Sequence, residues 1–428
     1  MGLIRPIRPM RLIGPMGLMR PMGPIGLMGL GLMGLLGLMS CSDDSEDSQD
    51  SKASMSIELM GSVAAYEEMT EGTKADEAAR ANVTRGWQPP MIYGNIQTEL
   101  ATDKSISVFF TIEKETDESN EDYEEDINNL EEEYFFKSSG KWRVSKTNMQ
   151  ATTYYLYGYM PHDTSIIASV DRLAGKTFED GAVLTLTNIP TVTANDLCVM
   201  IAAKNGYENG YTSSPVAEYT INGLQPGDFA YVARTTGEGG TGGNYVFLLF
   251  DHLYSAISYQ MRVKTEYNDL RTIKLKELSL QAFTGSTGNT STKKRMNATI
   301  TLIKTAEGAD PISYISFTGN GTEEGKGSFY ENTAGEALTT EYQSFQGNFM
   351  PQGVTKLKLT SRYDVYDKQG NLTRKDCEAT NTIDLKELFP TQNSARRGCR
   401  YTLKFTIQPT YLYVLSEPDL DNPTVVLN

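Results

Sequence analysis

Histidine is almost missing from this chain: only His162 and His252 occur among 428 residues. Because metal centres and catalytic triads commonly use histidine, little material remains for either kind of site. The sequence also has no HExxH and no GxSxG. Gly237–Gly242 fits the spacing GxGxxG, but no helix is expected to open after it and no GK[ST] follows the glycines of Gly237–Gly243, so it does not indicate a phosphate-binding loop. We therefore expect no catalytic residue, no bound metal and no cofactor.

Cysteine is also scarce. The chain has Cys41, Cys198, Cys377 and Cys399 and contains no CxxC pair. An odd number after Cys41 favours three buried free thiols. Pairing of Cys377 with Cys399 is the alternative, because a secretory route permits disulfides.

Positive charge is in deficit, with 39 lysines and arginines against 54 acids and a net charge of −15. A chain this acidic repels phosphate backbones, which argues against a nucleic-acid partner. Glu113–Glu133 alone holds twelve acids and one lysine. It lacks the Asp/Asn/Gly spacing of an EF-hand, so the pattern indicates a solvated loop within a hairpin.

The N-terminus has the order of a secretory signal. Residues 1–40 contain four arginines and no acid, and end in a Gly/Leu/Met run, Gly26–Met39. The junction Ser40–Cys41 resembles a lipobox, which predicts lipidation at Cys41. The Ser/Asp-rich stretch after Cys41 resembles the export signal of outer-membrane surface lipoproteins in Bacteroidetes-type bacteria. A low-complexity segment or a single membrane anchor is the alternative for residues 1–40.

A short strand stands apart from the rest of the chain. Met55–Met60 alternates polar and apolar residues, and the pattern extends toward Val63. The Ser/Asp-rich stretch after Cys41 precedes it as an acidic, solvated tether. It is followed by residues 67–86, a polar and flexible stretch that contains Lys74, Arg80 and Arg85. An isolated strand before an exposed basic loop is an unusual arrangement.

From Trp87 onward the chain reads as strands, and helical periodicity is almost absent. Runs rich in β-branched and aromatic residues alternate with Gly, Pro, Asn and Asp turns. The clearest are Ser105–Ile112, Tyr154–Tyr159, Ala182–Thr187, Leu197–Ala202, Tyr245–Phe250, Ile257–Val263, Ala298–Ile303, Thr355–Leu359 and Tyr401–Ile407.

The fold class predicted from this pattern is all-β, with two tandem antiparallel β-sandwich domains. The glycine-rich Gly237–Gly243 places the domain boundary. The predicted organisation is a signal peptide (1–40), a segment with tether, first strand and basic loop (41–86), an N-terminal sandwich (87–236) and a C-terminal sandwich (237–428).

Two isolated features have a chemical and a structural interpretation. His252 follows an apolar strand, where Asp251 would orient it as a base, but a structural role is favoured; His162 is expected in a loop. Tyr155, Tyr157 and Tyr159 share one strand face. They form either a sugar-binding platform or, as we favour, part of the core and its rim.

Several stretches together resemble the fimbrillin family of Bacteroidales, the lipoprotein precursors of type V pili. The resemblance covers nearly the whole chain after the signal. It is carried by Arg85–Pro90, Ser105–Thr111, Gly140–Val144, Tyr154–Pro161, Gly181–Leu186, Phe247–Leu253, Leu270–Leu278 and Tyr411–Asn428.

The resemblance implies two transthyretin-like sandwiches and assembly rather than catalysis. A trypsin-like protease would cut after Arg85, which is favoured, or Arg80, and would remove the lipid and the first strand. Loss of the first strand would expose a hydrophobic groove, and a strand from another fimbrial subunit would then fill this groove. The donor expected here is Thr424, Val425, Val426 and Leu427. The implied location is the outer membrane before maturation and the fimbria afterwards.

Other outcomes stay open from the sequence. The last strand remains in its own domain, or the protein is a fimbrial anchor or tip. A surface lipoprotein that binds a glycan or host ligand without polymerising is the first rival. A hydrolase with His252 or His162 against carboxylates in a cleft is the second.

Overall fold

The computed structural model describes residues 55–64, 66–69, 93–95, 105–113, 131–135, 142–146, 153–205, 226–232, 244–285, 288, 290–306, 309–389, 394–412 and 417–428. The predicted signal peptide, the lipidation site Cys41 and the processing sites Arg80 and Arg85 lie outside these residues. Those assignments stay predictions.

The described chain is almost entirely β-structure, as the alternating pattern predicts. Its strands form four sheets. The first sheet has nine strands, in the order β3-β1-β12-β10-β7-β4-β5, with β6 paired to β1 and β11 paired to β7. These strands are β1 (Met55–Ala64), β3 (Tyr93–Asn95), β4 (Ser105–Thr111), β5 (Glu131–Phe135), β6 (Trp142–Lys146), β7 (Thr153–Met160), β10 (Cys198–Asn205), β11 (Ala230–Val232) and β12 (Asn244–His252).

The second sheet has four strands in the order β17-β16-β9-β8. They are β8 (Ile167–Arg172), β9 (Gly181–Pro190), β16 (Lys293–Ile303) and β17 (Ile312–Glu324). Apolar side chains of this sheet and of the first sheet form one buried core, which includes Tyr157, Leu184, Leu249 and Ile300. These two sheets make the first sandwich.

The third and fourth sheets make the second sandwich. The third contains β2 (Glu67–Met69), β13 (Tyr254–Val263), β19 (Gln343–Pro351), β22 (Cys399–Leu412) and β23 (Glu417–Leu427). The fourth contains β14 (Thr272–Thr284), β15 (Thr290–Ser291), β18 (Lys326–Ala337), β20 (Val354–Tyr366) and β21 (Leu372–Asp384). Their shared core includes Tyr259, Leu278, Leu359 and Leu403.

The predicted hairpin around the acidic stretch agrees with the pairing of β4 and β5. The two strands are antiparallel, with Ser105 opposite Phe135 and Phe109 opposite Glu131. Residues 114–130, which connect them, lie outside the described residues. The acidic stretch therefore connects two strands that pair with each other, as the predicted hairpin requires.

Strands on both sides of the predicted boundary at Gly237 share sheets. β12 pairs with β10, and β16 pairs with β9, although β12 and β16 follow the glycine-rich stretch in sequence. Residues 233–243 are not among those described. The division at Gly237 stays a prediction, while the two sandwiches each draw strands from more than one part of the chain.

Helical structure in the described chain amounts to two single turns, α1 (Thr265–Asn268) and α2 (Leu385–Leu388). The Asp384 carboxylate caps α2 by accepting a hydrogen bond from the Lys386 backbone N–H at 3.0 Å. Within the described residues, neither helix has the length or apolar character needed to cross a bilayer.

Candidate functional site

The first strand, β1, pairs with a strand that lies far from it in sequence. β1 lies parallel to β12, in a register from Ile57 opposite Asn244 to Val63 opposite Phe250. Its other edge pairs antiparallel with β6 and β3. The predicted strand Met55–Met60 is therefore present and continues to Ala64. Removing it would leave the backbone groups of β12 that face it without partners, an edge able to accept another strand.

The strand that receives β1 is part of the hydrophobic core. Val246, Leu248 and Phe250 of β12 are buried with side chains of β4, β7 and β10 on one face of the first sheet. Leu249 points into the core of the first sandwich on the other face. Because both faces of β12 are apolar and buried, this edge favours an apolar, β-branched occupant.

A second contact holds the N-terminal segment just after β1. The Tyr66 ring stacks on the His252 imidazole with centroids 3.6 Å apart, and the Arg400 guanidinium lies 4.7 Å from the Tyr66 centroid. Next to Tyr66, β2 runs parallel to the start of β22, and the Glu68 carboxylate pairs with Arg400 at 2.9 Å. The segment is thus fixed to strands of both sandwiches.

The sequence did not indicate this second contact. Residues 67–86 were expected to be polar and flexible, yet Glu67–Met69 forms β2. Three residues are too few for an alternation pattern to appear. The surrounding tyrosine, histidine and arginine come together only through the sheet topology.

The surroundings of Tyr66 are strongly desolvating. Its hydroxyl is buried and makes no well-formed hydrogen bond within the described structure. Burial, followed by the negative charge of the nearby Asp196 carboxylate, raises the pKa of Tyr66 well above its ordinary value. The phenol is therefore neutral at physiological pH and contributes mainly through its ring.

His252 is oriented by a different carboxylate from the one expected. Its Nδ1 lies 2.7 Å from Asp196 Oδ2, so the imidazole N–H donates to that oxygen. Asp251 instead accepts a hydrogen bond from Arg397 at 2.5 Å, and Arg397 also contacts Asp310. The suggestion that Asp251 orients His252 is wrong, because successive side chains of β12 point to opposite faces.

This histidine is not arranged as a catalytic base. Cys198 Sγ lies 3.5 Å from the same Nδ1 that bonds Asp196. A Cys–His–Asp relay needs the thiol and the carboxylate on opposite ring nitrogens. Cys198 and His252 are both buried, which agrees with the structural role favoured for His252.

The predicted donor residues lie at the end of β23. Thr424 to Leu427 pair antiparallel with Gln408 to Phe405 of β22. Val425 is buried, and its carbonyl accepts a hydrogen bond from Asn381 Nδ2 at 2.6 Å. The tail is thus folded onto its own chain here, and its transfer to another subunit stays a prediction.

The ladder between β22 and β23 is interrupted near its middle. Pro409 stands opposite Pro423, and the register shifts between Pro409 and Thr410. Because proline has no backbone N–H, neither residue donates to the ladder. The terminal part of β23 is held by a short run of pairs beyond this break.

The remaining sequence candidates lie in the core or in loops. Tyr155, Tyr157 and Tyr159 are buried, which excludes the sugar platform in this structure and confirms the core interpretation. His162 follows β7 and its Nδ1 lies 2.6 Å from Ser107 Oγ. Cys198, Cys377 and Cys399 are buried and none of them forms a disulfide, as the cysteine count favoured.

Among known proteins, only solved structures are similar to this chain. No protein-family model matches the chain, and no curated protein matches it. Among solved structures, a candidate cell adhesion protein from Bacteroides uniformis is similar at 9% identity and a TM-score of 0.34, covering 88% of this chain and 98% of that one.

Two further structures are similar over most of their length. A fimbrial protein from Bacteroides vulgatus has 14% identity and a TM-score of 0.28, covering 70% of this chain and 84% of that chain. The fimbrial anchor protein Mfa2 from Porphyromonas gingivalis has 9% identity and a TM-score of 0.28, covering 87% and 96%. At these values the likeness carries no argument about function.

Proposed function

We propose that the chain is a structural subunit of a cell-surface fimbria. It is exported as a lipoprotein through Cys41, matured by a trypsin-like protease and assembled by donor-strand exchange, and it serves adhesion rather than catalysis. The observation that carries this proposal is the docking of β1: an N-terminal strand lies parallel to β12, and the chain that follows it contains Arg80 and Arg85.

Cleavage at either arginine converts β1 and β2 into a separate segment. No covalent bond then joins them to β12 or β22, and only the backbone ladder and the Tyr66 and Glu68 contacts hold them. Loss of the segment leaves the buried, apolar strand β12 with an open edge. Strand addition satisfies those backbone groups again, and alternate side chains set the register.

The tail supplies a strand of suitable character. Thr424 to Leu427 is a β-branched run after Pro418 and Pro423, and the ladder that holds it is broken at Pro423. A short ladder costs less to break than a continuous one. The ordered resemblance of the sequence to fimbrillins supports the same assignment.

The alternative is a surface lipoprotein that does not polymerise, such as an anchor or tip. The favouring observation is the fixation of the tail: Val425 is buried, and Asn428 Nδ2 donates to Thr406 Oγ1 at 2.5 Å and to Tyr342 at 3.0 Å. A tail that never leaves these contacts cannot act as a donor.

Limited trypsin treatment of the purified full chain separates the two functions. We expect mass spectrometry to find a resistant core beginning after Arg80 or Arg85, and gel filtration and negative-stain microscopy to find oligomers of that core. The variant with Lys74→Ala, Arg80→Ala and Arg85→Ala, which lacks every trypsin site of this loop, should remain uncut there and monomeric, whereas Arg374→Ala, an exposed arginine on β21, should behave as the wild type. A cut core that stays monomeric would reject the polymerising subunit and favour the alternative.

A further inference from the structure

The strongest unassigned feature is a mostly buried cluster of three different metal-ligand types, with Asp196 at its rim. Asp196, Cys198 and His252 each offer one ligand atom, and these atoms lie within 4.8 Å of one another. Cys198 begins β10 and His252 ends β12, and the two residues are register partners across the ladder. Asp196 lies two positions before Cys198, at the entrance to the same strand.

Two polar atoms in this cluster are buried without a well-formed hydrogen bond. Within the described structure, Asp196 Oδ1 and the Tyr66 hydroxyl are both removed from solvent, and their closest polar interaction is with each other, since the Asp196 carboxylate acts on the pKa of Tyr66. A buried polar atom without a full set of hydrogen bonds is destabilising, and a bound ion at this position would satisfy both atoms. The Tyr66 ring lies over His252, on one side of the cluster.

The distances between the three ligand atoms suit a tetrahedrally coordinated metal ion. With metal–sulfur bonds of about 2.3 Å and metal–nitrogen bonds of about 2.0 Å, a tetrahedral site holds sulfur and nitrogen about 3.5 Å apart. Cys198 Sγ and His252 Nδ1 are 3.5 Å apart. Asp196 Oδ2 is 2.7 Å from Nδ1 and would move outward by roughly half an ångström to reach a tetrahedral separation. Its side chain is 23% exposed, at the rim, which leaves room for that movement.

We propose that Asp196, Cys198 and His252 form a zinc-binding site, with the fourth position facing the Tyr66 hydroxyl. The ion takes the place of the proton that now lies between His252 Nδ1 and Asp196. His252 then carries its proton on Nε2, and the Cys198 thiol releases its proton to solvent. A thiolate, an imidazole and a carboxylate together suit zinc better than magnesium or calcium, which prefer oxygen ligands.

The first test is zinc titration of the chelator-treated full chain, followed by calorimetry. We expect one Zn²⁺ per chain. Asp196→Asn and Cys198→Ala should each weaken binding at least about tenfold, because the first replaces an anionic carboxylate by a neutral amide and the second removes the thiolate. Cys377→Ala is the matched control, since the Cys377 side chain is also buried, forms no disulfide and lies outside the cluster, and it should bind as the wild type.

A spectroscopic test avoids dependence on variant stability. Co²⁺ in place of Zn²⁺ should give thiolate-to-cobalt charge-transfer absorption in the wild type and in Cys377→Ala, but not in Cys198→Ala. Circular dichroism establishes that each variant is folded. Absence of the thiolate band in the wild type, or zinc affinity unchanged in both Asp196→Asn and Cys198→Ala, would overturn the proposal.

Discussion

At the scale of single residues, Arg397 carries a buried positive charge that depends on its carboxylate partners. Its guanidinium is mostly buried and joins Asp251 to Asp310, and Asp251 is itself almost fully buried. Burial acts to lower the pKa of Arg397, but the two carboxylates outweigh it, so the net pKa is raised and the group stays charged. Removing one member of such a group leaves a buried charge uncompensated.

Arg397→Met should therefore destabilise the protein by about 3 kcal/mol, measured by urea unfolding. Arg362→Met is the matched control, because Arg362 pairs with Glu277 and Asp376 on an exposed sheet face. Its loss should change stability little, because the pair is exposed and screened by solvent. Equal effects of the two substitutions would contradict the account of Arg397.

Tyr66 provides a second residue-scale prediction. Tyr66→Ala removes the ring stacked on His252 and should cost about 2 kcal/mol in urea unfolding of the metal-free chain. Tyr66→Phe keeps the ring and removes a buried hydroxyl that makes no well-formed hydrogen bond in the described structure, so stability should be unchanged or slightly higher. A large loss in Tyr66→Phe would show that the hydroxyl, not the ring, fixes this segment.

Single residues also mark where sequence reasoning ends. His252 stood out because histidines are few, but its partner Asp196 did not. The contact depends on the β10–β12 register, which places Cys198 opposite His252. The Asp-x-Cys spacing was readable as two side chains on one strand face, yet nothing local indicates which distant residue faces them.

At the scale of elements, clean alternation predicted the buried strands well. β16 alternates buried and less buried residues along most of its length, and its predicted core Ala298–Ile303 lies within it. β17, β18 and β21 were not predicted, because most of their residues are exposed or half-buried and β17 and β18 contain glycine. Polar strands of this kind are specified by their neighbours rather than by their own pattern.

Close packing of β4 against β7 gives an element-scale prediction. A Cβ at Gly158 would collide with the Ser107 carbonyl oxygen, a backbone atom that cannot move without breaking the ladder. Gly158→Ala should lower stability by about 1–3 kcal/mol. Gly327→Ala, at a strand position where a Cβ meets nothing within 4 Å, should change stability little in the same unfolding experiment.

A second prediction at the scale of elements concerns the tail strand β23. Val425→Asp places a carboxylate in the core of the second sandwich, while Val426→Asp changes the neighbouring, less buried position. We expect fast hydrogen exchange of the Thr424–Leu427 amides in Val425→Asp and nearly unchanged exchange in Val426→Asp. Similar protection in both variants would mean that Val425 does not hold the tail.

At the scale of the whole molecule, the all-β fold and the two sandwiches followed from composition and alternation. The membership of each sheet did not. β12 and β16 pair with strands that precede the glycine-rich stretch, and β1 crosses to β12 in a parallel arrangement. Such long-range pairings depend on the packed cores as a whole, which a local pattern does not encode.

Hydrogen exchange along β12 tests the central claim most directly. The amides of Asn244–Phe250 that face β1 should be protected in the full chain, exchange rapidly after trypsin cleavage and removal of the N-terminal segment, and regain protection when the cleaved subunits assemble. Protection that never falls after removal of the segment, or that fails to return in the assembled material, would contradict assembly by strand replacement at this edge.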